Sequence, residues 1–237
     1  SLALAQDGVD FCSEGKIKSF TRLSKLSSVQ YPGDSNIDVK YYKLDLWVNI
    51  NPNSLSGLVT VKAKAATQNL ITFYLDLVNA LNVSSVKQNG NALAFSQANN
   101  QLTITLNRQY SLGEEFSVDI SYSGIPTSGT GSISSARFLF YDQSAAKQVV
   151  ATLSEPYGAR DWWPSKDTPG DKADSSDGWI TADKFFVSVS NGSLVGTVDN
   201  PDGTRTYKWK NHYPIANYLI SIAMTNYQTI DDQFEYQ

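Results

Sequence analysis

Residues 42–61 read YKLDLWVNINPNSLSGLVTV. Tyr42, Leu44, Leu46, Val48 and Ile50 alternate with Lys43, Asp45, Trp47 and Asn49, so an extended chain here has one apolar and one polar face. Asn51-Pro52-Asn53 interrupts the pattern, and Val59, Val61, Ala63 and Ala65 resume it between Thr60, Lys62 and Lys64. Ile71, Phe73, Leu75 and Leu77 carry the same period onward. Three half-buried strands in succession, joined by short turns, read as a meander.

Downstream, Val83 to Gln88 runs into Asn89-Gly90, a type I′ turn signal because both residues must accept a positive φ. Ala92 to Phe95 is expected to return antiparallel; Leu102, Ile104 and Leu106 form the next strand, and Phe116, Val118, Ile120 and Tyr122 the one after. Arg137 to Tyr141 and Gln148 to Leu153 are short strands. Lys184 to Ser190, Thr204 to Lys210 and a long strand from Ala216 to Tyr227 follow, separated by turns at Asn191-Gly192 and Pro201-Asp202-Gly203. Strands recur without helices between them, which argues for packed sheets rather than βαβ units. Only residues 11 to 27 look helical, with Ile17, Phe20, Leu23 and Leu26 three apart among basic residues. The expected fold is all-β, an antiparallel, saddle-like β-sandwich of two sheets with one short N-terminal helix and one long irregular loop. Residues 1–30 form an extension and 31–237 the domain, with the Gly, Ser and Thr-rich stretch 123–135 as the best internal boundary.

Composition removes several function classes. The net charge of -4 provides no basic field for nucleic acid. There is no run of eighteen apolar residues that would span a membrane as a helix. A single cysteine, Cys12, permits no internal disulfide, and a single histidine, His212, cannot form the paired imidazoles of an H-E-x-x-H zinc helix. No G-x-S-x-G elbow accompanies His212, which weighs against a serine hydrolase. Ala3-Leu4-Ala5 has the small-x-small form that precedes signal-peptidase cleavage; it reads either as the tail of a secretory signal or as a flexible start, and the expected location is secreted or periplasmic.

The long irregular stretch, 154–179, reads SEPYGARDWWPSKDTPGDKADSSDGW. A loop of this length on a rigid scaffold is where binding groups tend to lie. Pro156, Pro164 and Pro169 stiffen it, and Arg160 can pair with Asp161, Asp167 or Asp171. Trp162 and Trp163 are adjacent, so in an extended segment one points into the core and the other towards a partner. Asp171, Asp174 and Asp177 are three apart, a spacing that does not match the calcium loop. Glu155, between Ser154 and Pro156 at the end of an apolar strand, is a carboxylate positioned to hold a cation.

The run Thr152-Leu153-Ser154-Glu155-Pro156-x-x-Ala159-Arg160-x-x-x-Pro164-x-x-Asp167-x-Pro169-x-x-Lys172-Ala173 resembles a signature late in the N-terminal domain of zinc aminopeptidases related to aminopeptidase N and leukotriene hydrolase. Tyr41-Tyr42-x-Leu44-x-Leu46 with Leu55-Ser56-Gly57-x-Val59-Thr60-Val61, Ser190-Asn191-Gly192, and Trp209 to Tyr227 resemble other parts of that domain in the same order. Ser165 departs from the many relatives that carry cysteine there. The resemblance implies a β-sandwich preceding a thermolysin-like catalytic domain that holds zinc. Neither the zinc helix nor the G-x-M-E-N loop of that catalytic domain occurs here, so no cofactor is expected in this chain. The implied partners are a C-terminal catalytic domain of the same polypeptide and the N-terminus of a peptide substrate. By resemblance, Glu155 helps to hold the substrate's free α-amine, while Arg160, Asp167 and Pro169 shape the loop. The alternative is a free-standing β-sandwich that binds glycans or proteins through Trp162, Trp163 or Trp179. The chain is expected to be an excised first module of a longer enzyme.

Overall fold

A computed structural model describes residues 32–126, 137–142, 148–228 and 230. The helix expected within 11–27 and residues 127–135 of the expected boundary lie outside the described residues.

In chain order the strands are β1 (Ile37–Ile50), β2 (Asn53–Ala65), β3 (Leu70–Asp76), β4 (Leu81–Gln88), β5 (Asn91–Ala92) and β6 (Phe95–Ala98). They continue with β7 (Gln101–Tyr110), β8 (Glu115–Gly124), β9 (Phe138–Asp142), β10 (Gln148–Thr152), β11 (Lys172–Ala173) and β12 (Ser175–Asp183). The last are β13 (Val187–Ser190), β14 (Ser193–Asp199), β15 (Thr204–Asn211), β16 (Ile215–Ala216) and β17 (Ile222–Thr225). Short 3-10 turns occur at Ala159–Asp161 and Asn217–Leu219.

The alternation read at residues 42–61 becomes the centre of the molecule. β1 and β2 pair antiparallel with Leu44 opposite Val59 and Leu46 opposite Gly57, and their apolar positions form one continuous buried face. An eight-stranded sheet grows from this hairpin in the order β14-β15-β12-β1-β2-β8-β4-β5. Against its apolar face lie the three-stranded sheet β3-β7-β6 and the four-stranded sheet β13-β17-β10-β9, with β11 and β16 paired as a small ribbon. The layers meet through aromatic side chains: Phe73 of β3 and Tyr110 of β7 both contact Phe116 of β8, with ring centroids 5.2 and 5.4 Å apart. Phe73, Leu75, Leu102, Ile104, Val118 and Ile120 are all essentially inaccessible, and burial of each such side chain contributes about 1.5–3 kcal/mol before the entropy cost of ordering it.

The all-β class is as expected, and three details differ. The meander stops after two strands: β3 leaves to pair with β7, and β8 takes its place beside β2. Ala92 to Phe95 is not one returning strand, because β5 ends at Ala92 and β6 begins at Phe95 in another sheet. The long strand expected from Ala216 to Tyr227 is cut by the turn Asn217–Leu219 into β16 and β17. In addition, the last part of the supposed loop is β12, which pairs in parallel with β1 (Leu44 opposite Gly178) inside the large sheet.

Candidate functional site

β10 carries the chain from the core to the rim and ends at Thr152. The next residues alternate sharply in environment: Leu153 is exposed, Ser154 buried and Glu155 exposed. Both flanks of Glu155 are tied down. Ser154 Oγ accepts a hydrogen bond from Trp162 Nε1 at 2.9 Å, and the Glu155 carbonyl accepts one from Arg137 Nη1 at 2.8 Å. The Glu155–Pro156 peptide is cis. Thus the backbone at Glu155 is fixed from two sides while its carboxylate faces solvent. The following 3-10 turn presents Asp161 within 3.9 Å of both Arg137 Nε and Arg160 Nε.

Both tryptophans are buried, which corrects the expectation that one faces a partner. That expectation assumed an extended segment, whereas Trp162 ends a 3-10 turn and both indoles rotate into the core. Trp162 packs on Phe138 (5.7 Å) and Trp163 edge-on to Tyr42 (4.7 Å). The Tyr122 hydroxyl donates to the Trp162 carbonyl at 2.9 Å, fastening the loop to β8.

After the indoles the loop crosses β3. Ser165 exchanges backbone hydrogen bonds with Asp76, at 2.7 and 3.1 Å. Lys166 N–H donates to Tyr42 Oη, and its ammonium reaches both the Ile37 carbonyl and Asp171 Oδ2 at 2.6 Å. Asp171 also accepts from the Val39 N–H at 3.2 Å. Asp167 N–H donates to Asp76 Oδ2 at 3.0 Å, and Asp167 Oδ1 accepts from Asn217 Nδ2 at 2.7 Å. Burial, with the nearby Asp76 charge, pushes the Asp167 carboxyl up to about 7, against the opposing pull of Arg160. Asp76 is also raised, first by burial.

Of the residues expected to shape the loop, Arg160 meets Asp161 rather than Asp171, which is taken by Lys166. Asp167 is at the centre of the buried cluster, and Pro169 sits half-buried between it and β11. Lys166, Asp76 and Asn217 were not singled out in the sequence. Asp76 and Asn217 lie 91 and 50 positions from Asp167, and Lys166 lies 129 from the Ile37 carbonyl that it reaches, so no local pattern marks these contacts. Asp174 is 4.0 Å from Lys40, and no group of three or more His, Cys, Asp or Glu among the described residues is arranged to hold a metal. Trp179 is half-buried beneath two ammonium groups, Lys43 at 3.4 Å and Lys208 at 4.2 Å from the ring centroid, so it is no bare platform for a sugar.

Comparison with known proteins gives this geometry a family. The chain is 28% identical over 200 residues to leucine aminopeptidase 2 of Vanderwaltozyma polyspora, covering 81% of this chain and 29% of that protein. The crystal structure of the M1 zinc metallopeptidase from Deinococcus radiodurans superposes with a TM-score of 0.70 at 26% identity, over 81% of this chain and 42% of that one. A mutant of the same enzyme bound to the substrate Tyr-ser-ala matches with the same TM-score and identity, over 43% of its length. This chain therefore spans less than half the length of these relatives. The model of the peptidase M1 N-terminal domain matches residues 38–219, from the first strand to the Asn217–Leu219 turn, and the chain belongs to that family.

Proposed function

We propose that this chain serves as the N-terminal domain of a zinc-dependent aminopeptidase, and that Glu155 anchors the α-ammonium group of the peptide substrate. The observation that carries the reading is the conjunction of the family match over residues 38–219 with an exposed carboxylate on a backbone fixed from both sides. An α-amine titrates at about 7.7–8.0, so near neutral pH it is largely cationic and a fixed carboxylate attracts it. An internal peptide segment offers no such charge. Tyr-ser-ala, the substrate bound to the Deinococcus relative, presents one. Glu155 would therefore select a chain end rather than cut a bond.

The described residues do not fit a zinc ion. The chain's single histidine is exposed, and the described residues offer no cluster of metal ligands. Zinc and the bond-breaking step belong, in this proposal, to a C-terminal catalytic domain of the same polypeptide, against which the Glu155 rim docks. A secreted or periplasmic location is part of the same proposal and rests on Ala3-Leu4-Ala5 alone.

The test uses the complete enzyme. Glu155→Ala should raise KM for peptides with a free N-terminus about tenfold or more, the scale of a charge-assisted contact worth about 1.5–3 kcal/mol, with the zinc content unchanged. Loss of zinc in that variant, or an unaltered KM, contradicts the assigned role.

A further inference from the structure

Among the described residues, the buried polar side-chain atoms without a hydrogen-bond partner include Trp163 Nε1 and Ser165 Oγ, on the loop, and Asp167 Oδ2 and Asn217 Oδ1, where the loop meets the Asn217–Leu219 turn. The last two are the remaining ends of one interaction. Asn217 Nδ2 donates to Asp167 Oδ1 at 2.7 Å, which uses one atom from each group. The atoms left over, Asp167 Oδ2 and Asn217 Oδ1, are both acceptors when the carboxyl is ionised, and two acceptors cannot satisfy each other. Neither side chain has access to water to compensate, since Asp167 is fully buried and Asn217 nearly so. Leaving both unsatisfied is costly in so dry a place. One proton from solvent, placed on Oδ2, resolves both at once.

We propose that the Asp167 carboxyl is protonated in the folded chain and donates a second hydrogen bond to Asn217 Oδ1, so that an acid–amide pair latches the loop to the 217–219 turn and weakens as the pH rises.

The surroundings favour the neutral acid. Asp76 on β3 stands next to it, with its Oδ2 already engaged by the Asp167 N–H. Asp34, ahead of β1, adds negative charge behind Asp76 and spends its own oxygens on the Asn36 and Tyr74 N–H groups. Asp161 on the 3-10 turn adds more, and Arg160 beside it is the cation that opposes protonation. Lys166, the preceding residue in the chain, directs its ammonium away to Ile37 and Asp171. Tyr42 on β1 contributes a hydroxyl that burial keeps neutral. Of these two neighbouring acids, Asp167 is the one whose free oxygen shares a partner that lacks a donor, so the proton belongs there. Burial and these charges bring its titration to about 7. The pair joins residues 50 positions apart, and it closes the same run of chain that opens at Glu155.

The sign of the pH effect follows from linkage. The folded chain holds the proton up to a pH of about 7, while the unfolded chain releases it at about 3.9. The stability that the latch confers is therefore complete below about pH 4, declines between about 4 and 7, and is level above.

Carbon-detected NMR of the aspartate carboxyls in the intact chain reads the proton directly, with no substitution. A titration midpoint for Asp167 near 7 supports the latch, and one near the ordinary 4 overturns it. Asp167→Asn supplies the second arm, because its amide can donate to Asn217 Oδ1 at every pH. The melting temperature of this variant minus that of the parent should grow from pH 5 to pH 7 and then level off. A difference that stays constant over that range overturns the proposal.

Discussion

Lys166 illustrates how far a buried charge must be matched before the interior tolerates it. Its side chain is only 10% exposed, and its ammonium lies between the Asp171 carboxylate and the Ile37 carbonyl. Removing one member of such a pair leaves the other ionised in a poorly solvated place. Lys166→Met should thus destabilise the fold by about 3 kcal/mol, measured by urea unfolding; a change below about 0.5 kcal/mol, the range of an ordinary surface substitution, would show that Asp171 reaches solvent instead. At this scale the sequence was only partly legible. The setting of Glu155, between a strand end and a proline, was legible, while its role is a proposal. Asp76 and Asn217 were not legible, because what makes them matter is contact with Asp167 across 91 and 50 positions. The two tryptophans misled for a related reason, since adjacency implies opposite faces only in an extended chain.

Among elements, the turns carry the most local information. Asn89 and Gly90 both adopt positive φ, 49° and 81°, as the type I′ reading requires, and a Cβ at Gly90 would meet nothing within 4 Å. Gly192 also has a positive φ, of 88°, yet a Cβ there would fall 2.1 Å from the Lys210 carbonyl oxygen. Gly90→Ala should consequently cost only the conformational penalty of about 1 kcal/mol. Gly192→Ala should cost well over that, because the β14–β15 pair must separate to admit the methyl group. Thermal unfolding of the two variants compares them, and equal losses would contradict the close approach. Strands with one wet face, such as β1, β2, β7 and β8, were legible by period two. β12 was not: Ser175-Ser176-Asp177-Gly178-Trp179 has few apolar residues to alternate, and its place beside β1 comes from a parallel pairing that no turn announces. The break between β16 and β17 was hidden in the same way, since the turn there contains Asn217, whose partner Asp167 is 50 positions away.

For the molecule as a whole, the large sheet is a platform and the stretch from Ser154 to Ala173 is its crest, fastened to β1, β3 and β8 through Tyr42, Asp76 and Tyr122. Trp162 is, with Trp163, one of the two largest side chains in that stretch and is fully buried, so Trp162→Ala should cost about 3–5 kcal/mol and lower the denaturant midpoint without changing the strand content seen by circular dichroism in the variant that remains folded. With one histidine and no metal-ligating cluster among the described residues, the chain by itself should show no peptide hydrolysis when zinc is added, and zinc-dependent turnover by the purified chain would refute its reading as a non-catalytic domain. Glu155 is proposed to recognise the charge at the end of a peptide. This role is tested most directly in the complete enzyme by comparing kcat/KM for a peptide with a free N-terminus and the same peptide N-acetylated, in the parent and in Glu155→Ala. The preference for the free amine should fall by about tenfold or more in the variant, in line with one lost charge-assisted contact; an undiminished preference would rule out that role for Glu155.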